Sequence, residues 1–351
     1  MTKESRFSLS NIVEKIKNTI LGFKQSSTDK PEKQAVDTVM PSAEDLSSGK
    51  WKKHSLHARD HHDHNEQLVT KLDYYIYTPA TTADRPTTKG MPLVVMLHGC
   101  TQNATAFAEG TKMNFLAQQE GFVVLYPQQS ISHNLGKCWR WFDLTKSQGM
   151  AEAHSMMKAI QSAIAMHELD PAKVFVAGMS AGAGMASILA ASYPKDIHAI
   201  ALHSGPALAV AQHMKGGVDL LKNGLDDSDD KSIASLEAFA HNIPHKTPAL
   251  IIHGMVDDVV HLDNAEALTK QFLYLNDLAL DTEASSSEHL VGTEKEYTQT
   301  EYKDNQKTIV EVLKVKNLAH AWSGGDKKYP FNSNQGPQSS RIIWDFFKKS
   351  L

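Results

Sequence analysis

Five stretches of the chain are short and almost wholly apolar: PLVVMLHG (92–99), FVVLYP (122–127), KVFVAG (173–178), IHAIALHSG (197–205) and PALIIHG (248–254). Runs of this length without polar alternation suit strands of a parallel sheet covered on both faces. Between them TAFAEGTKMNFLAQQEG (105–121), GMAEAHSMMKAIQSAIAMHELD (149–170) and SAGAGMASILAASYP (180–194) carry apolar residues at helical spacing. Strand and helix therefore alternate, which predicts an α/β fold with a mostly parallel central sheet and helices on both faces. Upstream, KKHSLHARD (52–60) and VTKLDYYIY (69–77) read as two strands joined by a turn at HHDHNEQ, and TTADRPTTKGM (81–91) as a loop. Downstream, EKEYTQTEYK (294–303) and TIVEVLKV (308–315) read as paired strands, and SSRIIWDFFKKSL (339–351) as a closing helix.

Two segments break the alternation. Residues 206–247 include the acidic run LDDSDDK and read as a cap over the C-terminal edge of the sheet, with a plain surface excursion as the competing reading. Near the N-terminus, Leu9, Ile12, Val13, Ile16, Ile20 and Phe23 recur at helical spacing, which predicts an amphipathic helix that docks on this or another protein. The sharper alternative is contact with a granule or membrane surface through residues 6–23. Glu14, Lys15 and Lys17 interrupt the apolar pattern, so this stretch does not read as a secretory signal. A cytoplasmic protein is the expectation, with secretion left open. Residues 24–50 are polar and poor in aromatics, which divides the chain into an N-terminal helix and linker (1–50) and a main domain (51–351).

Composition narrows the function classes. The 351 residues carry a net charge of −4, so no global basic field favours nucleic acid. No apolar run approaches the roughly 18 residues that a membrane span needs. Cys100 and Cys138 are the only cysteines, which excludes a disulfide-rich scaffold and a four-cysteine zinc site. His54, His57, His61, His62 and His64 could converge around the first turn. A solvated polar turn is the simpler reading, and neither a metal nor a cofactor is expected.

The chemistry centres on Gly178-Met179-Ser180-Ala181-Gly182, a G-x-S-x-G directly after a strand and before a helix. A side chain presented at so sharp a turn needs small neighbours. A phosphate-cradling reading of Gly182-Ala183-Gly184 fails. The third glycine position is Ser187, and no acidic residue ends the following strand as a dinucleotide site requires. A serine nucleophile needs a base and an acid to orient it, in the chain order serine, acid, histidine for this architecture. Asp257 and Asp258 compete for the acid just after the PALIIHG strand, and His320 follows the TIVEVLKV strand. The loop LHGCTQNAT offers the backbone N–H of Cys100 or Thr101 to a developing oxyanion, and the residue after the nucleophile, Ala181, offers a second.

LHGCTQ, CWRWF, GMSAGAGM, IIHGMVDDVV and AHAWSGG, in that order, resemble the polyhydroxybutyrate depolymerase family of esterases, near relatives of feruloyl and acetylxylan esterases. The resemblance runs from about residue 70 to the C-terminus and implies an α/β-hydrolase fold that hydrolyses carboxylic esters. The substrate it implies is an oligo- or polyester or a small aromatic ester. It maps the family's H-G-x-x-D-x-x-V onto His253 to Val260, which puts the acid at Asp257. The family's G-H-A-W becomes Ala319-His320-Ala321-Trp322, which puts the base at His320. It maps the family's oxyanion cysteine onto Cys100 and sets Trp322 as a wall of the acyl pocket. Trp139 and Trp141 are candidates for substrate contact, against a plain role in the core or rim. Secreted relatives often carry disulfides, so a Cys100–Cys138 bond is one expectation and a pair of reduced thiols in a reducing compartment the other. A peptidase on the same fold and a non-catalytic, granule-associated binding protein are the competing functions.

Overall fold

A computed structural model describes residues 49–57, 71–131, 136–144, 148–225, 230–240 and 246–351. The expected N-terminal helix, the linker up to residue 48, and His61, His62 and His64 lie outside these residues, while Lys50, the last residue of the expected linker, already begins the first strand. Ten strands form one sheet: β1 (Lys50–His57), β2 (Lys71–Thr78), β3 (Leu93–Leu97), β4 (Val123–Gln128), β5 (Val174–Met179), β6 (Ala199–His203), β7 (Ala249–Gly254), β8 (Ala284–His289), β9 (Tyr297–Asp304) and β10 (Lys307–Val315). Their order is β1-β2-β4-β3-β5-β6-β7-β10-β9-β8. The strands from β4 to β10 in that order are parallel, and antiparallel pairs finish both edges.

The apolar runs form the centre because both of their faces are covered. On β3, Leu93, Val95 and Leu97 point into one core with Met156 and Ile160 of α3 (Gln148–His167), Ile188 of α4 (Ala181–Ser192) and Phe272 of α7 (Asp263–Leu275). Val94 and Met96 point into the other, with Phe107 of α1 (Ala104–Thr111), Leu116 of α2 (Met113–Glu120) and Phe347 of α8 (Ser339–Lys348). A strand buried on both sides shows no alternation, and this is the pattern met in the sequence.

The single helix expected over 105–121 is two. Lys112 breaks it with φ 58°. The carbonyls that would continue the helix are taken elsewhere: Gly110 accepts the Asp326 N–H at 2.8 Å and Thr111 accepts the Ser340 hydroxyl at 2.6 Å. Strand β8, sequence ASSSEH, is exposed and polar on both faces, so no hydrophobic period announces it. Within 206–247 lie α5 (Met214–Asn223) and α6 (Lys231–Phe239). Two buried amides of α7 staple this segment down. Asn264 bonds Ala207 N–H and Leu220 C=O, and Gln271 bonds Leu208 and the Ser232 carbonyl.

Candidate active site

Ser180 stands between β5 and α4 with φ 56° and ψ −123°. An L-residue held there costs about 1–3 kcal/mol, and persists only where the surroundings over-determine it. They do so here. The Ser180 N–H donates to the His203 carbonyl at 2.9 Å, and its carbonyl accepts from Gly184 at 3.1 Å. The glycines around it are a requirement of space: a Cβ on Gly182 would run into the Leu97 carbonyl, and one on Gly178 into the Gly182 carbonyl. Among the described residues nothing hydrogen-bonds the Ser180 hydroxyl, and the side chain keeps a small exposed area.

Asp257 follows β7, and His320 follows β10, the strand parallel and adjacent to β7. The Asp257 Oδ1 accepts the N–H groups of Val259 at 3.0 Å and Val260 at 2.9 Å. Its Oδ2 lies 2.8 Å from His320 Nδ1. The carboxylate therefore fixes the proton of His320 on Nδ1 and leaves the lone pair on Nε2. Burial alone would raise the Asp257 pKa. The charge and hydrogen bond of His320, helped by His253 and the Val260 N–H, overcome it and hold the carboxyl well below its usual range. Behind it, His253 Nε2 sits 2.8 Å from the Val260 carbonyl, and burial lowers that imidazole's pKa so that it stays neutral and donates. Asp258 is exposed, while the Asp257 side chain is wholly buried against His320.

The loop after β3 abuts the serine, since a Cβ on Gly99 would touch Ser180 Cβ at 3.4 Å. Of its two candidate donors, the Thr101 N–H is spent on the Gly136 carbonyl at 2.7 Å. The Cys100 N–H and the Ala181 N–H, in the first turn of α4, have no acceptor among the described residues. First-turn amides of a helix lack intrahelical partners and suit an anion. A Cys100–Cys138 disulfide ties this loop to the segment CWRWF. That segment is held in turn: Trp139 Nε1 donates to the His98 carbonyl at 3.0 Å, and Gln129 Nε2 to the Cys138 carbonyl at 3.2 Å. Glu152 accepts Gln129 Nε2 at 2.6 Å and the Arg140 N–H at 2.8 Å, and burial pushes its carboxyl up to about 7.

The tryptophans are placed differently from a substrate surface. Trp139 and Trp322 have no accessible area and Trp141 has 4%. Trp322 stacks on His203 with centroids 5.0 Å apart, meets Phe107 edge-on and donates Nε1 to Ser340 at 3.2 Å. Its position after His320 made it a candidate pocket wall, but its ring is enclosed behind the histidine's loop. Gln129, Glu152 and His203 have no place among the sequence-based candidates, and His253 appears there only as the first residue of a motif. The one available signal was polarity inside apolar runs, such as Glu152 between the buried Ala151 and Ala153. Among the described residues no cluster of three or more metal-ligating side chains forms. His54 stacks on Tyr74 and His57 is exposed.

A serine at a strained strand-to-helix turn, with an Asp–His pair after two later parallel strands, defines the α/β-hydrolase class. The fold is similar to an acetyl xylan esterase from Aspergillus awamori at TM-score 0.66 and 19% identity, covering 85% of this chain and 99% of that one. The chain belongs to the esterase PHB depolymerase family, whose profile matches residues 72–296, more than half of the sequence. It is 36% identical over 186 residues to poly(3-hydroxyalkanoate) depolymerase C of Paucimonas lemoignei, covering 52% of this chain and 44% of that protein. It is 30% identical over 232 residues to acetylxylan esterase A of Aspergillus oryzae, covering 62% of this chain and 73% of that one. The chain thus spans less than half the length of the depolymerase.

Proposed function

We propose that this chain is a serine esterase acting on carboxylic esters through Ser180, His320 and Asp257. The observation that carries the reading is the 2.8 Å bond between Asp257 Oδ2 and His320 Nδ1, which leaves His320 Nε2 free to accept a proton. Ser180 Oγ attacks the ester carbonyl as its proton passes to His320 Nε2. The oxyanion forms against the N–H groups of Cys100 and Ala181, donors worth about 10²–10³ in rate each. Collapse expels the alcohol, which takes the proton from His320 and leaves Ser180 acylated. Water then gives its proton to His320 and attacks the acyl carbon; the bond to Ser180 Oγ breaks, Oγ takes the proton back from His320, and the acid departs. Apo sites of this kind often close the serine–histidine bond only with substrate present, which fits the unbonded Ser180 hydroxyl.

The substrate class follows the family: an aliphatic oligo- or polyester, with a small acetyl or feruloyl ester as the alternative. Residues 206–247 serve as the cap, since Gly217 of α5 packs on Trp141 and Phe142 next to the disulfide-linked segment. The Cys100–Cys138 bond favours an oxidising compartment over the cytoplasm expected from the sequence. No helix among the described residues is long and apolar enough to cross a membrane. The test is labelling with a fluorophosphonate and turnover of a panel holding a hydroxyalkanoate oligomer, solid polyester and aryl acetates. Wild type should label at Ser180 and cleave at least one ester. Ser180→Ala should remain folded and lose both. Activity retained in Ser180→Ala refutes the assignment, and a wild type that neither labels nor turns over favours a hydrolase-like binding protein.

A further inference from the structure

We propose that His203 is a positioning residue: its imidazole accepts the Ser323 N–H and so locks the loop bearing the base onto the strand next to the nucleophile. This rests on the reading of Ser180 and His320 given above. His203 ends β6, between the strands that lead to Ser180 and to Asp257. Its carbonyl accepts the Ser180 N–H at 2.9 Å. Its ring reaches the other way, with Nε2 accepting from Ser323 at 3.3 Å and its face on Trp322. One residue is therefore bonded to the nucleophile itself and to the segment two and three residues after the base.

Other bonds hold the loop, but to different partners. Trp322 N–H and C=O pair with Phe331 and Ser333, and the Ser323 hydroxyl with that of Ser339. These tie 319–325 to the chain that follows it, and the Asp257–His320 bond ties it to the end of β7; His203 joins it to β6, whose last carbonyl holds the Ser180 N–H. The tautomer matters as well. For Nε2 to accept, the proton must sit on Nδ1, where Ser204 Oγ stands 3.3 Å away as acceptor. A second proton would aim one donor at another inside a fully buried site. Complete burial keeps the ring neutral, pushing its pKa down to about 3, with the charges of His253 and His320 acting the same way and Asp257 against. Catalysis is sensitive to such placement, since a misplacement of about 1 Å can cost on the order of 100-fold in rate.

The experiment compares wild type, His203→Phe and His203→Gln in fluorophosphonate labelling rate, kcat and KM on a short-chain aryl ester, and urea unfolding. Phenylalanine keeps the stack and loses the acceptor, whereas glutamine can present Oε1 to Ser323. We expect His203→Phe to lose about 10- to 100-fold in kcat and labelling with KM within about twofold, and His203→Gln to recover most of it. A folded His203→Phe with wild-type rates overturns the proposal. So does a His203→Gln as slow as His203→Phe at wild-type stability. Should His203→Phe not fold, ¹⁵N NMR of histidine-labelled wild type decides: an unprotonated Nε2 is expected, and a protonated one overturns the proposal. Wild type that fails to label sinks the esterase reading instead, and the tautomer still decides this one.

Discussion

Replacing Asp257 by asparagine tests the acid's role in a way the geometry makes quantitative. Two backbone donors, Val259 and Val260, point at Oδ1, and His320 Nδ1 points at Oδ2. Asparagine has one oxygen for these two sides. If it stays under Val259 and Val260, its NH2 faces His320 Nδ1, which must then accept. The imidazole proton moves to Nε2, and the ring can no longer take a proton from Ser180. The flipped amide restores the Nδ1–H bond but sets its NH2 against two buried N–H groups, leaving both unsatisfied at about 1–3 kcal/mol each. The competent state is thus disfavoured by about 2–6 kcal/mol, and at about 1.4 kcal/mol per decade kcat should fall by roughly 30-fold to 10⁴-fold. KM should stay within about threefold, because the change acts on the proton acceptor and not on binding. Steady-state hydrolysis of a short-chain aryl ester measures this, with unfolding curves to show that the variant is native. Asp258→Asn is the matched control, since Asp258 is exposed, and should keep its rate within about twofold. A slow Asp258→Asn beside a fast Asp257→Asn would refute the reasoning.

Two further outcomes concern stability. Burial pushes His98 down to about 4 and His203 to about 3, so below the unfolded value near 6.5 the unfolded chain binds more protons and stability falls with pH. Glu152, raised to about 7, has the opposite sign: the native state takes its proton first, which adds stability as pH falls from 7 to about 4.5. At about 1.4 kcal/mol per unit the two histidines lose about 5 kcal/mol by pH 4.5 and Glu152 returns about 3, a net loss of about 2. Below that the glutamate's contribution is complete while the histidines continue, so urea midpoints should decline gently to pH 4.5 and steeply beneath it; a flat profile to pH 3.5 would contradict this. The Cys100–Cys138 bond spans 38 residues of sequence, for which loop-closure entropy gives about 4 kcal/mol. The double change Cys100→Ala with Cys138→Ala should lower the urea midpoint accordingly, and an unchanged midpoint would remove the disulfide from the account.

Legibility tracked whether a feature is local. The strands β3 to β7 were readable because burial on both faces writes itself as an unbroken apolar run. Ser180 was readable because its turn demands glycine at 178 and 182, where any side chain would meet a carbonyl. The break at Lys112 was not, because its cause is Asp326 and Ser340, more than two hundred residues away. Strand β8 was not, because it has no buried face to leave a period.

The sequence by itself determined the parallel α/β architecture and the sharp turn at Ser180, since both rest on neighbours within a few residues, and it laid out the proposed order Ser180, Asp257, His320 along the chain. Tertiary structure supplied the physical ground for, or against, what the resemblance implied only by alignment. It separated Asp257 from Asp258 by burying one carboxylate against His320. It left Cys100 as the open donor by spending the Thr101 N–H on Gly136. It enclosed Trp322, which its place after His320 made a candidate for the pocket. In each case the deciding contact comes from a residue distant in sequence, which no local pattern records.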